Sequence, residues 1–190
     1  MKRDGEKAKG RGRIGVIVVG AFFIFLMIFS ALAMWEPKDD SMEFKYNNHV
    51  FVNNGNSWES VIGGQKMSFQ HSPRDLENIS VSGFSIDRLG SDRVYLLYEP
   101  NDSVVGSFEM QRIAGFLAFK GYSANEACTA KEGCGDFPVF NCSDTGGRNT
   151  LFFKESVENK IYFEDGCVVL NYENLGLMSD LFAYKVLGVM

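Results

Sequence analysis

The first strong feature along the chain is an unbroken apolar run from Ile14 to Met34, twenty-one residues without a charge or a proline. A helix built from it is apolar on every face and has no side to show to water. At about 1.5 Å per helical residue it covers the roughly 30 Å of bilayer hydrocarbon. Trp35 follows where an interfacial aromatic would sit. The pattern predicts one transmembrane helix over residues 14–35, followed by a short polar tether at 36–42 (EPKDDSM).

From residue 43 the pattern changes to short runs with strand spacing. Glu43 to Val52 (EFKYNNHVFV) alternates around Asn47-Asn48 and predicts a hairpin or a bulged strand. NNGNS at 53–57 is a turn, and Gln65 to His71 alternates again until Ser72-Pro73 ends it, because proline cannot donate to a strand ladder. Arg93 to Glu99 (RVYLLYE) is a compact apolar run, and Pro100-Asn101-Asp102-Ser103 offers a turn and a helix N-cap. Val105, Phe108, Ile113, Phe116 and Leu117 then recur at helical spacing between Val104 and Lys120, with Gly121 as the stop. With a strand at Tyr122 to Thr129, this strand-helix-strand unit predicts a crossover between parallel neighbours.

The last third reads as strands at Phe137–Cys142, Thr150–Lys154, Lys160–Phe163 and Cys167–Asn171. Glu164-Asp165-Gly166 is a tight-turn signal that pairs the last two as a hairpin. A final helix is expected from about Asn174 to Leu187, with Leu177, Met178, Leu181, Phe182 and Val186 on one side. The expected fold class is α+β, with one mixed-sheet domain over residues 43–190, a strand-helix-strand unit and a C-terminal helix. Its length is enough to bury a core of its own.

Charge orients this arrangement. Residues 1–13 carry six Lys and Arg against Asp4 and Glu6, whereas residues 36–190 carry thirteen against twenty-two Asp and Glu. Basic residues beside an apolar run stay in the cytoplasm. The expectation is a single-pass cell-membrane protein with residues 1–13 as a cytoplasmic tail and the larger domain outside, in contact with the lipid bilayer through Ile14 to Met34. A rival reading is a cleaved secretory signal, for which Ala31-Leu32-Ala33 has the small-x-small pattern, but the apolar run exceeds the usual length. An acidic domain lacks the clustered positive charge that nucleic acid requires, so no nucleic-acid partner is expected.

Four cysteines, Cys128, Cys134, Cys142 and Cys167, all fall in the exported part. An even number in an oxidising compartment reads as two disulfides. Three pairings are open, and the local order favours Cys128 with Cys134 and Cys142 with Cys167. Zinc is the alternative, but the spacing lacks the short C-x2-C knuckle of most structural zinc sites. No metal or cofactor is expected.

Candidate chemistry is sparse. His49 and His71 are the two histidines, and adjacent His71 and Ser72 would point to opposite faces of a strand, so they are not a dyad by proximity. Asp144-Thr145-Gly146 matches the triplet of aspartic proteases, yet turn residues surround it and no second copy exists. Asp39-Asp40 and Glu155 to Glu158 lack calcium-loop spacing. Asn78, Asn101 and Asn141 head glycosylation sequons. No catalytic residue is assigned; an enzyme would require a pocket that gathers His49 or His71 with carboxylates.

His71 to Glu77 (HSPRDLE), Tyr98 to Asp102 (YEPND), Ala127-Cys128-Thr129 with the later cysteines, and Phe182 to Met190 (FAYKVLGVM) resemble an uncharacterised family of small archaeal proteins. The resemblance implies one N-terminal transmembrane helix and a compact exported domain, with no activity and no site residue to carry over. The leading function is a membrane-anchored extracytoplasmic interaction or envelope module with a protein partner in the envelope. A pilin-like subunit is the alternative, since Lys9-Gly10 or Arg11-Gly12 before the apolar helix resembles a processing site. An anchored enzyme with an unrecognised site is the third class.

Overall fold

Three hairpins turn on residue pairs with positive φ: Asn47-Asn48, Gly63-Gly64 and Asp165-Gly166. A positive φ at both central positions matches the right-handed twist of the flanking strands, and Asn, Asp and Gly bear it at least cost. Glycine is required at Gly63 for a further reason, because a Cβ there would lie 2.8 Å from the Phe119 ring.

The computed structural model describes residues 20–30, 42–89 and 92–190. The chain divides into two compact units, Met1–Ser41 and Met42–Met190. In the first, residues 20–30 form helix α1, and every large apolar side chain from Phe22 to Phe29 is exposed, by 45% or more. The flanks of the expected span, 14–19 and 31–35, lie outside the described residues. Among the described residues, no helix is long and apolar enough to cross a membrane.

The second unit is α+β and is built in three layers. β1 (Glu43–Tyr46), β2 (His49–Asn53), β3 (Trp58–Ile62) and β4 (Gln65–Phe69) form a four-stranded antiparallel sheet in sequence order. β5 (Ser80–Ser82), β6 (Arg93–Tyr98), β7 (Ser123–Cys128), β8 (Asn149–Glu155), β9 (Lys160–Glu164) and β10 (Cys167–Tyr172) form a mixed sheet ordered β5-β9-β10-β8-β6-β7. The β9/β10 pair is antiparallel and the other pairs are parallel, including the expected β6/β7. Helices α2 (Phe108–Phe119) and α3 (Leu175–Leu187) share one core cluster with residues of both sheets. On the small-sheet side, Tyr184 lies against Phe69 at 4.4 Å with the rings tilted and meets Phe51 edge-on at 5.7 Å, while Phe116 stacks on Phe69 at 5.9 Å. On the other side lie Leu96, Leu151, Phe153 and Leu170 of the mixed sheet.

Four expectations are corrected. There are two sheets rather than one, because β1–β4 pair only with one another and their apolar face packs against the helices. α3 is buried on nearly all sides instead of along one stripe, since sheets cover it from both directions. α2 begins at Phe108, not near Val104: Ser107 is its N-cap and accepts the Met110 amide at 3.1 Å. Asp102 instead caps the Val104 amide in a preceding turn, and Val105 and Phe108 are exposed. Phe137 to Cys142 makes only one bridge, Cys128 to Val139, before Cys142–Asp144 turns into a 3-10 helix. Pro138 has no amide to extend the ladder.

The mixed sheet's second face carries its own small cluster of Leu97, Ala127, Phe140, Cys167 and Val169. Residues 129–148 cover part of this face, fastened by Cys128–Cys134 and Cys142–Cys167. The first bond closes a separation of 6 residues and the second 25. Closure entropy grows as (3/2)RT ln n, so the longer bond contributes about 1 kcal/mol more from loop length alone. It also ties the covering segment to a central strand. Replacing Cys142 and Cys167 by alanine is therefore expected to cost clearly more stability in denaturant than replacing Cys128 and Cys134; the reverse order would contradict this assignment.

Candidate functional site

Asp180 sits in the middle of α3 and is fully buried. Its Oδ2 accepts hydrogen bonds from the Gln70 amide (2.9 Å), the His71 amide (2.8 Å) and His71 Nδ1 (3.0 Å). Its Oδ1 accepts from the Arg112 guanidinium at 2.6 Å. Three elements thus converge on one carboxylate: the residues after β4, α2 and α3. Glu109 extends the cluster, accepting from Arg112 at 2.8 Å and from Gln70 Nε2 at 3.0 Å. The Tyr184 hydroxyl donates to the His71 carbonyl at 2.8 Å. Burial by itself lowers the Arg112 pKa, but Asp180 and Glu109 outweigh it and hold the guanidinium more firmly charged than usual.

A carboxylate hydrogen-bonded to histidine Nδ1 orients imidazoles that act as bases or metal ligands. Here the arrangement lacks the other parts. Ser72 is no nucleophile for His71, because its hydroxyl donates to Asp75 Oδ2 at 2.8 Å and it caps the 3-10 helix Pro73–Leu76. Among the described residues, no group of three or more His, Cys, Asp or Glu is placed to hold a metal ion. The cluster is a clasp between layers.

His49 lines a different cavity, of about 490 Å³, on the small sheet with Glu59, Lys66 and three valines. Lys66 pairs with Glu59 at 2.8 Å across its rim. The two histidines therefore lie apart, each near carboxylates, in unlike surroundings. Asp144 is exposed in its turn and Glu155 and Glu158 are solvent-facing; Asp39-Asp40 lies outside the described residues. All three sequon asparagines are exposed.

The second face of the mixed sheet holds the other candidate. The strand register lines up Tyr162, Val169 and Phe152 across β9, β10 and β8, continuing to Leu97 and Ala127. Phe140 covers the Leu97 end, leaving Tyr162 and Phe152 half-exposed at the other. The flanking register row runs Lys160, Asn171, Lys154, and Glu99 follows β6 beside it. Of these, Phe152, Val169 and Tyr162 floor, and Lys154 and Glu99 rim, a groove of about 350 Å³, walled on the far side by Asn141, Cys142 and Ser143. It adjoins a second cavity of about 410 Å³ at Glu99 and Thr129, bordered by Glu132 and Gly133. Half-buried apolar rings with convergent polar groups are the usual make-up of a ligand site.

Comparison with protein-family models, curated proteins and solved structures finds no match for this chain.

Sequence reasoning passed over Asp180, Arg112 and Glu109. The available signal was a lone carboxylate inside the most apolar helical stretch of the second unit, between Met178 and Phe182. A buried charge there demands partners.

Removing one partner of a buried ionic cluster typically costs about 3–5 kcal/mol. Asp180→Ala is expected to reach that range in denaturant unfolding, and His71→Ala, at the partly exposed edge, to cost well under half as much. Equal costs would contradict the clasp. Alkali gives a second check. Tyr98, buried and donating to Glu126 at 2.8 Å, is pushed up to about 12 by burial first and then by Glu126, and Tyr184 is raised by burial and by Asp180. An unfolded tyrosine ionises near 10, so stability is expected to hold below pH 10 and fall as pH rises through 12. A flat profile across pH 10–12 would contradict this.

Proposed function

We propose that the chain is a membrane-anchored extracytoplasmic binding module, held by Ile14 to Met34 with residues 1–13 in the cytoplasm. The unit from Met42 then presents the Tyr162–Val169–Phe152 groove to a partner in the envelope. The observation that carries this reading is α1: apolar side chains on every face, all exposed, need a medium other than water. The basic residues before the run and the acidic count after it orient the anchor. Two disulfides suit an oxidising compartment. They brace the walls of the groove, since Cys142 lines it and Cys128 directly precedes Thr129. A braced site binds without first meeting an ordering cost. The resemblance to small archaeal single-pass proteins points the same way.

A reporter that is active only after export, fused behind Met190, is expected to be active and to co-sediment with membranes. Replacing all six Lys and Arg of residues 1–13 by neutral residues should weaken or scramble that orientation. A fusion that is made but inactive, or that is recovered without membranes, would overturn the reading.

A further inference from the structure

We propose that the groove on the mixed sheet takes a neutral saccharide, with the C–H face of one sugar ring laid on Phe152 and closed at one end by Tyr162. This rests on the reading of that face as the ligand-binding face.

The floor has the right polarity in the right order. Adjacent strands are about 4.8 Å apart, so Phe152 and Tyr162 stand about 10 Å apart, with the shorter Val169, 2% exposed, at the floor of the shallow trough between them. Polar positions border the trough on both sides: Lys154 and Glu99 on one, Ser143 and Glu164 on the other. A sugar ring has the matching form, with apolar C–H faces and an equator of hydroxyls that donate and accept. Aromatic faces are negative and attract weakly positive C–H groups, while carboxylates and an ammonium make the stronger, charge-assisted hydrogen bonds to hydroxyls.

Charge narrows the class. Glu99, Glu164 and Asp165 disfavour an anionic sugar or an acidic peptide. A cation stacked on the rings meets Lys154 at the rim. It also finds the Tyr162 ring already served by the chain's own Lys160, whose Nζ lies 5.3 Å from the ring centroid. A neutral polyhydroxyl ligand can use both signs and is repelled by neither. The adjoining cavity at Glu99 and Thr129 gives room for a second sugar unit.

The test uses the full chain in a detergent without a sugar headgroup. It is presented with neutral oligosaccharides of glucose, mannose, galactose and N-acetylglucosamine, and with one lysine-rich and one glutamate-rich peptide. Binding of at least one neutral oligosaccharide is expected, unchanged by a tenfold rise in salt. Phe152→Ala should weaken it about tenfold, the loss of one stacked ring, and Lys154→Gln severalfold. Lys154 is exposed, so its variant keeps the test valid if Phe152→Ala does not fold. Saccharide binding indifferent to the folded variants overturns the proposal. Peptide binding lost in either variant, with no saccharide bound, overturns the saccharide and leaves the binding face standing. No binding of any probe overturns both.

Discussion

A carboxylate with no contact to water costs several kcal/mol unless the protein replaces its hydration. Asp180 is in that position, and the rest of the fold is arranged to meet its demand. Two backbone amides, an imidazole N–H and a guanidinium reach it from different parts of the chain. The two amides belong to residues that leave β4, so the end of the small sheet is placed relative to α3. The guanidinium belongs to α2, so the two helices are placed relative to each other. Aromatic packing of Phe51, Phe69 and Tyr184 adds area and no register. The ionic cluster, by contrast, is directional and joins the end of β4, α2 and α3 at one carboxylate.

The layer order follows. With α2 and α3 between the sheets, the inner faces of both sheets are used in packing, and only the outer faces are left to water. The mixed sheet is too apolar on its outer face to be bare, as Leu97, Ala127 and Val169 show. It is covered by residues 129–148, which hold little regular structure. Such a segment cannot hold its place by packing alone, and covalent ties take over. Cross-links of this kind are commonest where thiols stay oxidised. The cover is also incomplete. Where it ends at Cys142, the apolar row continues with Phe152 and Tyr162, both half-buried, on either side of the buried Val169, and the groove lies over that stretch of the row.

The sequence made legible whatever depends on near neighbours. Asn47-Asn48 and Asp165-Gly166 announced their hairpins because the turn chemistry lies in two residues. The β6–α2–β7 unit was readable from its apolar spacing, and the cysteine pairing from the order of the four residues. What depended on distant partners was not readable. The apolar neighbours of Asp180 mark it as a buried charge, but nothing near it names its partners, which lie 68 to 110 residues away. The split into two sheets was hidden because strands of either sheet carry similar alternation, and β5, three residues long, offers too little pattern. The groove was invisible for the same reason. Tyr162, Val169 and Phe152 belong to three strands, and only the register puts them in one row.

Native-state hydrogen exchange at the Gln70 and His71 amides reads the Asp180 clasp most directly. If the buried carboxylate holds the small sheet to the helices, these two amides, just past the end of an edge strand, exchange as slowly as those of the central β8 and β10, and only through global unfolding. In Asp180→Asn they should then exchange faster than the core of the same variant. Rapid exchange at both positions in the unaltered protein, while the core stays protected, would mean that the small sheet opens on its own and that Asp180 does not hold the layers together.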